Sequence, residues 1–157
     1  MKKIILLLSI AVLLFACKAN TVTNIDKKSQ VDMKGNWKIT KVSYVGQEYI
    51  KVNSFEIADS KCFEGSTWKF ISNNNKGEMT LNATGCPSFS SPIVWSVNEE
   101  GNFGLKILSA GINAKKVLEG YYLKVANQTP TSFQLIDKMN VGGKLSDIVY
   151  QFEKINQ

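Results

Sequence analysis

Residues 66–83 read Ser66-Thr67-Trp68-Lys69-Phe70-Ile71-Ser72-Asn73-Asn74-Asn75-Lys76-Gly77-Glu78-Met79-Thr80-Leu81-Asn82-Ala83. In the first half Trp68 and Phe70 alternate with Thr67 and Lys69. In the second half Met79 and Leu81 alternate with Glu78 and Thr80. A period of two sends successive side chains to opposite faces, which is the pattern of a half-buried β-strand. Between the halves lie Asn73-Asn74-Asn75-Lys76, and strands joined by so short a turn pair antiparallel. The stretch therefore predicts a hairpin with strands at 66–72 and 77–83. With Ser72 opposite Gly77, Phe70 would face Met79.

The same alternation continues outward on both sides. After residue 33, short alternating runs predict eight strands: 36–45, 66–72, 77–83, 92–98, 103–108, 117–126, 131–138 and 146–155. Glu99-Glu100-Gly101-Asn102 and Asn127-Gln128-Thr129-Pro130 are again tight turns, so the topology is an up-and-down meander. One face collects apolar residues, among them Trp37, Ile39, Trp95, Phe103, Tyr121, Phe133, Tyr150 and Phe152. The other collects Lys38, Lys69, Glu78, Lys124, Gln151 and Glu153. No stretch carries a helical period, and there is no internal repeat. Eight antiparallel strands with one apolar face leave two open edges if flat, and closure removes both. The expected fold is all-β, an eight-stranded antiparallel up-and-down barrel. A two-sheet sandwich is the alternative.

The residues ahead of this domain have a different character. Met1-Lys2-Lys3 precedes an apolar run, Ile4 to Ala16, that is too short to span a bilayer. Residues 1–16 thus have the form of a secretory signal. Leu14-Phe15-Ala16-Cys17 resembles the lipobox of bacterial lipoproteins, with Phe15 bulkier than the residue usual there. The resemblance implies cleavage after Ala16, diacylglycerol on the Cys17 sulfur and acylation of the new amino terminus by a chain such as palmitate. An ordinary cleaved signal beside an incidental cysteine is the bland alternative. In such lipoproteins Asp after the cysteine favours the inner membrane. Lys18 stands there instead, so the resemblance implies attachment to the outer membrane of the bacterial envelope and leaves the leaflet open. Residues 17–32 are polar and mixed and read as a lipidated tether, with a mean reach of about 20 Å. Residues 33–157 form the one folded domain.

Composition bounds the function. The 157-residue chain carries formal charge +6 and no histidine, and all 19 of its basic residues are lysine. The lysines are scattered, so nucleic-acid binding is not expected. Without histidine the usual general base near neutral pH is missing, as is the commonest transition-metal ligand. Without arginine there is no bidentate clamp for phosphate or carboxylate. Serine–histidine and cysteine–histidine catalysis are excluded. Pairs such as Ser60-Lys61 have no catalytic context, and no catalytic residue, cofactor or metal site is expected.

At the head of the first strand Gly35-Asn36-Trp37 resembles the Gly-x-Trp signature of lipocalins. Residues 33–157 as a whole resemble the lipocalin-like domains of bacterial envelope lipoproteins. The resemblance implies that Trp37 closes the barrel base while the other end opens to a small apolar ligand. Two departures stand out. The arginine that stacks on this tryptophan in lipocalins is absent, although the Lys154 stem could lie there. A helix following the barrel is not expected either.

The candidate ligand-binding residues are Phe55, Ile57, Trp68, Trp95, Phe103 and Tyr121. For the tryptophans, burial as plain core is the bland alternative, because an eight-stranded barrel is just wide enough to be filled by its own side chains. Segment 46–65, the longest connection, holds Tyr49, Ile50, Val52, Phe55 and Ile57. It is expected either to cap the barrel as structure or to serve as a lid or a surface for an envelope protein. The run Ser109 to Ala114 is expected at a rim. Extending the hairpin register outward brings Cys62 within about one position of Cys86, so in an oxidising compartment the two are expected to form a disulfide. Two free thiols or a metal pair are the alternatives.

Overall fold

The computed structural model describes residues 32–44, 51–108 and 120–155. Its strands are β1 (Gly35–Tyr44), β2 (Asn53–Ser54), β3 (Ala58–Asp59), β4 (Thr67–Ile71), β5 (Lys76–Leu81), β6 (Phe89–Val97), β7 (Asn102–Ile107), β8 (Tyr121–Ala126), β9 (Ser132–Val141) and β10 (Lys144–Lys154). Eight of them close a barrel in the order β1-β10-β9-β8-β7-β6-β5-β4. Every neighbouring pair is antiparallel, and β4 returns to β1 through Gly35–Phe70 and Lys38–Thr67. The return of β4 onto β1 closes the barrel and rules out the sandwich. The export signal, Cys17, residues 18–31 of the tether, the head of the expected strand at 117–126 and the run 109–114 lie outside the described residues.

Alternation assigned the faces correctly. Trp37, Phe70, Trp95, Phe103, Phe133 and Phe152 are all buried, and Lys38, Lys69, Glu78 and Glu153 are exposed. The register of the 66–83 hairpin differs from expectation. Phe70 faces Gly77 and Trp68 faces Met79. Asn75 adopts a left-handed φ of 55°, which completes the turn one residue early, so pairing starts at Ile71–Lys76. Gly77 is required in that register, because a Cβ there would lie 2.2 Å from the Lys69 carbonyl oxygen. The last hairpin is also tighter than expected. Gly142 and Gly143 have φ of 61° and 84°, the conformation of a two-residue hairpin turn. β9 therefore runs to Val141 and β10 starts at Lys144. β6 begins at Phe89 because Leu81 still pairs with it.

The β1–β4 ladder covers only Gly35–Lys38 on β1. Beyond it, past a bulge at Ile39–Lys41, the exposed edge of β1 is taken up by the chain just before β4. Gly65 N–H donates to the Ile39 carbonyl (2.8 Å) and Val42 N–H to Glu64 Oε1 (2.8 Å), while Lys61 Nζ donates to the Val42 carbonyl. Thus the edge left by a short strand has its polar groups paired without a ninth strand. The bulge also turns Val42 inward; it is fully buried.

Candidate functional site

The two ends of the barrel are built differently. At the base Met33 is fully buried, and Trp37 Nε1 donates to its carbonyl at 2.8 Å. Trp37 packs edge-on against Phe133 at 4.7 Å, and Phe133 stacks on Phe152 at 4.6 Å. From outside, Lys154 Nζ sits 5.3 Å from the centre of the Trp37 ring. This is the place where the lipocalin resemblance implied an arginine, and the lysine supplies the cation instead.

Above the base the interior is filled by rings. Phe70 contacts Trp95 at 5.0 Å, Phe103 at 5.9 Å and Trp68 at 6.1 Å, and it reaches Phe133 and Phe152 at 6.3 Å. The indole N–H groups are satisfied within the protein, Trp68 by Ser66 Oγ and Trp95 by the Lys76 carbonyl. Trp68, Trp95 and Phe103 are thus packed core in this structure.

The mouth is covered by the described part of segment 46–65. β2 and β3 form a small hairpin, and the 3-10 turn Ser60–Phe63 follows. The hairpin turn closes with an Ile57 N–H bond to the Ser54 carbonyl (3.1 Å). Its central residues, Phe55 and Glu56, have φ of 53° and 56°. Glycine and asparagine normally fill such positions. Phe55 nonetheless drives its ring into the barrel, where it is only 5% exposed. There it meets Tyr121 at 5.1 Å, Phe63 at 5.2 Å and Tyr150 at 5.5 Å. Tyr121 hydroxyl donates to the Phe55 carbonyl (2.9 Å), and the Tyr150 hydroxyl bonds Ser54 Oγ (2.6 Å). Ile57, next in the turn, is half-buried at the edge of the core.

Of the six candidate ligand residues, then, Phe55 and Tyr121 meet at the mouth, with Ile57 adjacent in the turn. Trp68, Trp95 and Phe103 belong to the deeper ring stack. Sequence reading missed Phe63 and the pairing of Ser54 with Tyr150, since neither Phe63 nor Ser54 lies on a periodic strand. It also missed Asp137, which falls on the inward-facing positions of β9 after Phe133 and Leu135 and faces Ile148. Burial pushes the Asp137 carboxyl above the usual carboxylate range, against a hydrogen bond from the Lys138 backbone. Burial likewise raises the Tyr150 phenol. The Ser54 hydrogen bond partly opposes that rise, and the negative charge of Asp137 adds to it.

Cys62 and Cys86 are disulfide-bonded, with Cα atoms 5.6 Å apart. The bond forms as expected, but not along the extended ladder. Cys62 lies in the 3-10 turn, and Cys86 lies in the turn whose N–H bonds the Ala83 carbonyl. The bond therefore ties the mouth cap to the β5–β6 connection. Among the described residues no three Cys, Asp or Glu side chains come together to hold a metal.

A meander barrel sealed at one end by a Gly-x-Trp base and capped at the other defines a lipocalin-type fold. The family described as the lipocalin-like domain matches residues 33–135, and the chain belongs to that family. Comparison with curated proteins finds no match. Among solved structures the chain is similar to bovine odorant-binding protein in complex with a selenium-containing odorant. That pair shares 10% identity and a TM-score of 0.45, over 82% of this chain and 73% of that one. The same bovine protein in complex with undecanal is 12% identical, with a TM-score of 0.43, over 78% of this chain and 71% of that one.

Proposed function

We propose that this protein is a membrane-anchored lipocalin-like lipoprotein that binds a small apolar or amphipathic molecule at the mouth of its barrel, without catalysing a reaction. One observation carries the reading. The ring that completes the aromatic cluster at the mouth comes from a turn, Phe55, and not from a wall strand. A ring on a turn can withdraw while the eight-stranded wall stays intact. The lipocalin-like family is one of small-ligand barrels, and the absence of histidine and arginine leaves few catalytic alternatives. Lipid on Cys17 would hold the domain to the bacterial envelope, at the outer membrane given Lys18, with the tether giving it about 20 Å of reach.

Two measurements test this. Purified protein should take up the apolar fluorophore N-phenyl-1-naphthylamine with a saturable rise in emission, and Ile57→Asp, which places a charge at the rim, should weaken that uptake. Absence of saturable uptake by the parent protein removes the binding reading. Separately, Cys17→Ser should release the protein from membranes or leave the precursor unprocessed. A mutant still membrane-bound at its normal mature mass removes the anchor.

A second reading, a surface for an envelope protein, has its own observation. Tyr122 is 81% exposed on the outer face of the barrel, where it lines a groove of about 180 Å³ together with Ser96, Gly104 and Lys106. Tyr122→Ser should then abolish partner capture and leave probe uptake unchanged.

A further inference from the structure

We propose that Phe55 is a built-in stand-in for the ligand: the turn Ser54–Ile57 plugs a slot formed by Phe63, Tyr121 and Tyr150, and the natural occupant is a small aromatic molecule carrying a hydrogen-bond acceptor, which displaces the turn. This deepens the mouth-binding reading and rests on it.

Three features point the same way. The first is backbone strain. Phe55 and Glu56 both take the left-handed conformation, which is uncommon for non-glycine residues and an outlier for a bulky one. Strain of this kind persists where the surroundings enforce it, and it clusters at clamps and switches. Here the enforcing contact is the ring in its slot. Once the ring leaves, the turn can relax, so displacement recovers part of its own cost.

The second feature is the chemistry of the slot. Phe63 and Tyr121 meet Phe55 edge-on, at interplanar angles of 70° and 83°. Aromatic rings favour that arrangement, which pairs ring edges with ring faces. A saturated group of similar size would fill the space without matching it. At the rim, Tyr121 hydroxyl donates to the Phe55 carbonyl and the Tyr150 hydroxyl pairs with Ser54. Both of these bonds are made to the plug, so an acceptor that takes the place of the Phe55 carbonyl meets the same two hydroxyls. A ring with an adjacent acceptor reproduces the ring and carbonyl of Phe55.

The third feature is where the cap is fastened. The plug hairpin is short: it pairs at Asn53–Asp59 and Ser54–Ala58, and its base is closed by one further bond, from Ser60 N–H to the Val52 carbonyl (2.7 Å). The segment that follows is pinned by the Cys62–Cys86 disulfide and by the bonds of Lys61 and Glu64 to Val42. Phe63, one wall of the slot, lies in that pinned part. The fastening therefore keeps the wall in place and leaves the plug to move.

The test compares the parent protein with Phe55→Gly and Glu56→Gly, using anisole, an aromatic ether, and its saturated counterpart cyclohexyl methyl ether as competitors for N-phenyl-1-naphthylamine. A plug that must leave lowers apparent affinity by the fraction of time it is absent. Phe55→Gly should thus bind anisole at least about tenfold more tightly than the parent. Glu56→Gly relieves strain in the closed turn without removing the ring and should bind about two- to fivefold more weakly. Anisole should outcompete the saturated ether in every form. Probe uptake that is equal or weaker in Phe55→Gly overturns the stand-in while leaving mouth binding standing. Should Phe55→Gly fail to fold, tighter binding by Glu56→Gly overturns it equally. Equal competition by the two ethers overturns the aromatic class. No saturable uptake by the parent overturns the mouth-binding reading itself.

Discussion

The strained turn at the mouth makes a stability prediction that runs against ordinary experience with glycine. Glu56 is exposed and sits at φ 56°. A left-handed residue with a β-carbon costs roughly 1–2 kcal/mol. Replacing it by glycine removes that cost and adds about 0.4–1 kcal/mol of unfolded-chain entropy. No buried contact is lost. Glu56→Gly should therefore stabilise the fold by about 0.5–1 kcal/mol, or roughly 2–5 °C in Tm for a domain of this size. Glu56→Ala keeps the β-carbon and the strain, and should stay within about 0.5 kcal/mol of the parent. Glu56→Asn should fall between them, since asparagine tolerates this conformation. Urea unfolding followed by tryptophan fluorescence reads the difference as a shift in midpoint at constant slope. Glu56→Gly less stable than Glu56→Ala would mean that the turn is not left-handed, and the argument built on its strain would fall with it.

Other perturbations probe the remaining parts of the site. The folded state raises the Asp137 carboxyl above 3.8, so it binds the proton more tightly than the unfolded chain does. Stability attached to Asp137 is therefore fully present below about pH 4 and is lost as pH rises through the folded value. Asp137→Asn should raise Tm at pH 7, with the gain closing toward pH 4; a gain that grows as pH falls contradicts this sign. The disulfide spans a sequence separation of 24, worth about 3.5 kcal/mol in the chain-entropy model. Cys62→Ser/Cys86→Ser should lose most of that in urea unfolding, and two free thiols in the denatured, unreduced parent would show that the bond is not made. At the base, Lys154→Ala should cost about 0.5–1 kcal/mol through the lost contact with Trp37, and Lys154→Arg should cost nothing. Equal loss in both variants would remove the cation from the account.

What was legible in the sequence was whatever period two encodes. Trp68, Phe70, Met79 and Leu81 all turned inward as their alternation required, although the pairing between the two strands was off by two. A shift of two preserves every face, so alternation cannot detect it; the left-handed Asn75 sets it locally. The disulfide was legible from the cysteine count, since setting Cys17 aside leaves only Cys62 and Cys86, whereas its position in a 3-10 turn was not. Gly-x-Trp marked the base, and Lys154 took the arginine's place. The mouth was the least legible part. Phe55 and Phe63 reach it from irregular backbone, where no period assigns a face, and their meeting with Tyr121 and Tyr150 is long-range, like the Ser54–Tyr150 bond across a separation of 96 residues. Segment 46–65 was correctly marked as too apolar for an idle loop. Its described part, residues 51–65, caps the barrel.

The contrast between the two ends bears on where motion is affordable. Non-glycine left-handed residues near the base are Asn75 and Asn127, while those at the mouth are Phe55 and Glu56. Asparagine adopts that conformation at little cost, and phenylalanine and glutamate do not. The mouth also holds the half-buried Asp137 carboxyl and the buried Ser60 hydroxyl, which lacks a hydrogen-bond partner among the described residues. An unpaired buried polar group is a further local cost. The base instead stacks Trp37, Phe133 and Phe152 under an N–H bond to Met33 and a lysine cover. Segments that open first are those with the least net local stability. The plug hairpin combines such costs with a ladder of two pairs, so it should exchange its amide hydrogens well before the barrel strands do. Hydrogen exchange at Ile57, whose N–H closes the turn, compared with Phe152 in the middle of the β1–β10–β9 sheet, measures that ordering. Protection at Ile57 equal to that at Phe152 would make the cap part of the rigid wall, leaving the ring of Phe55 no path out.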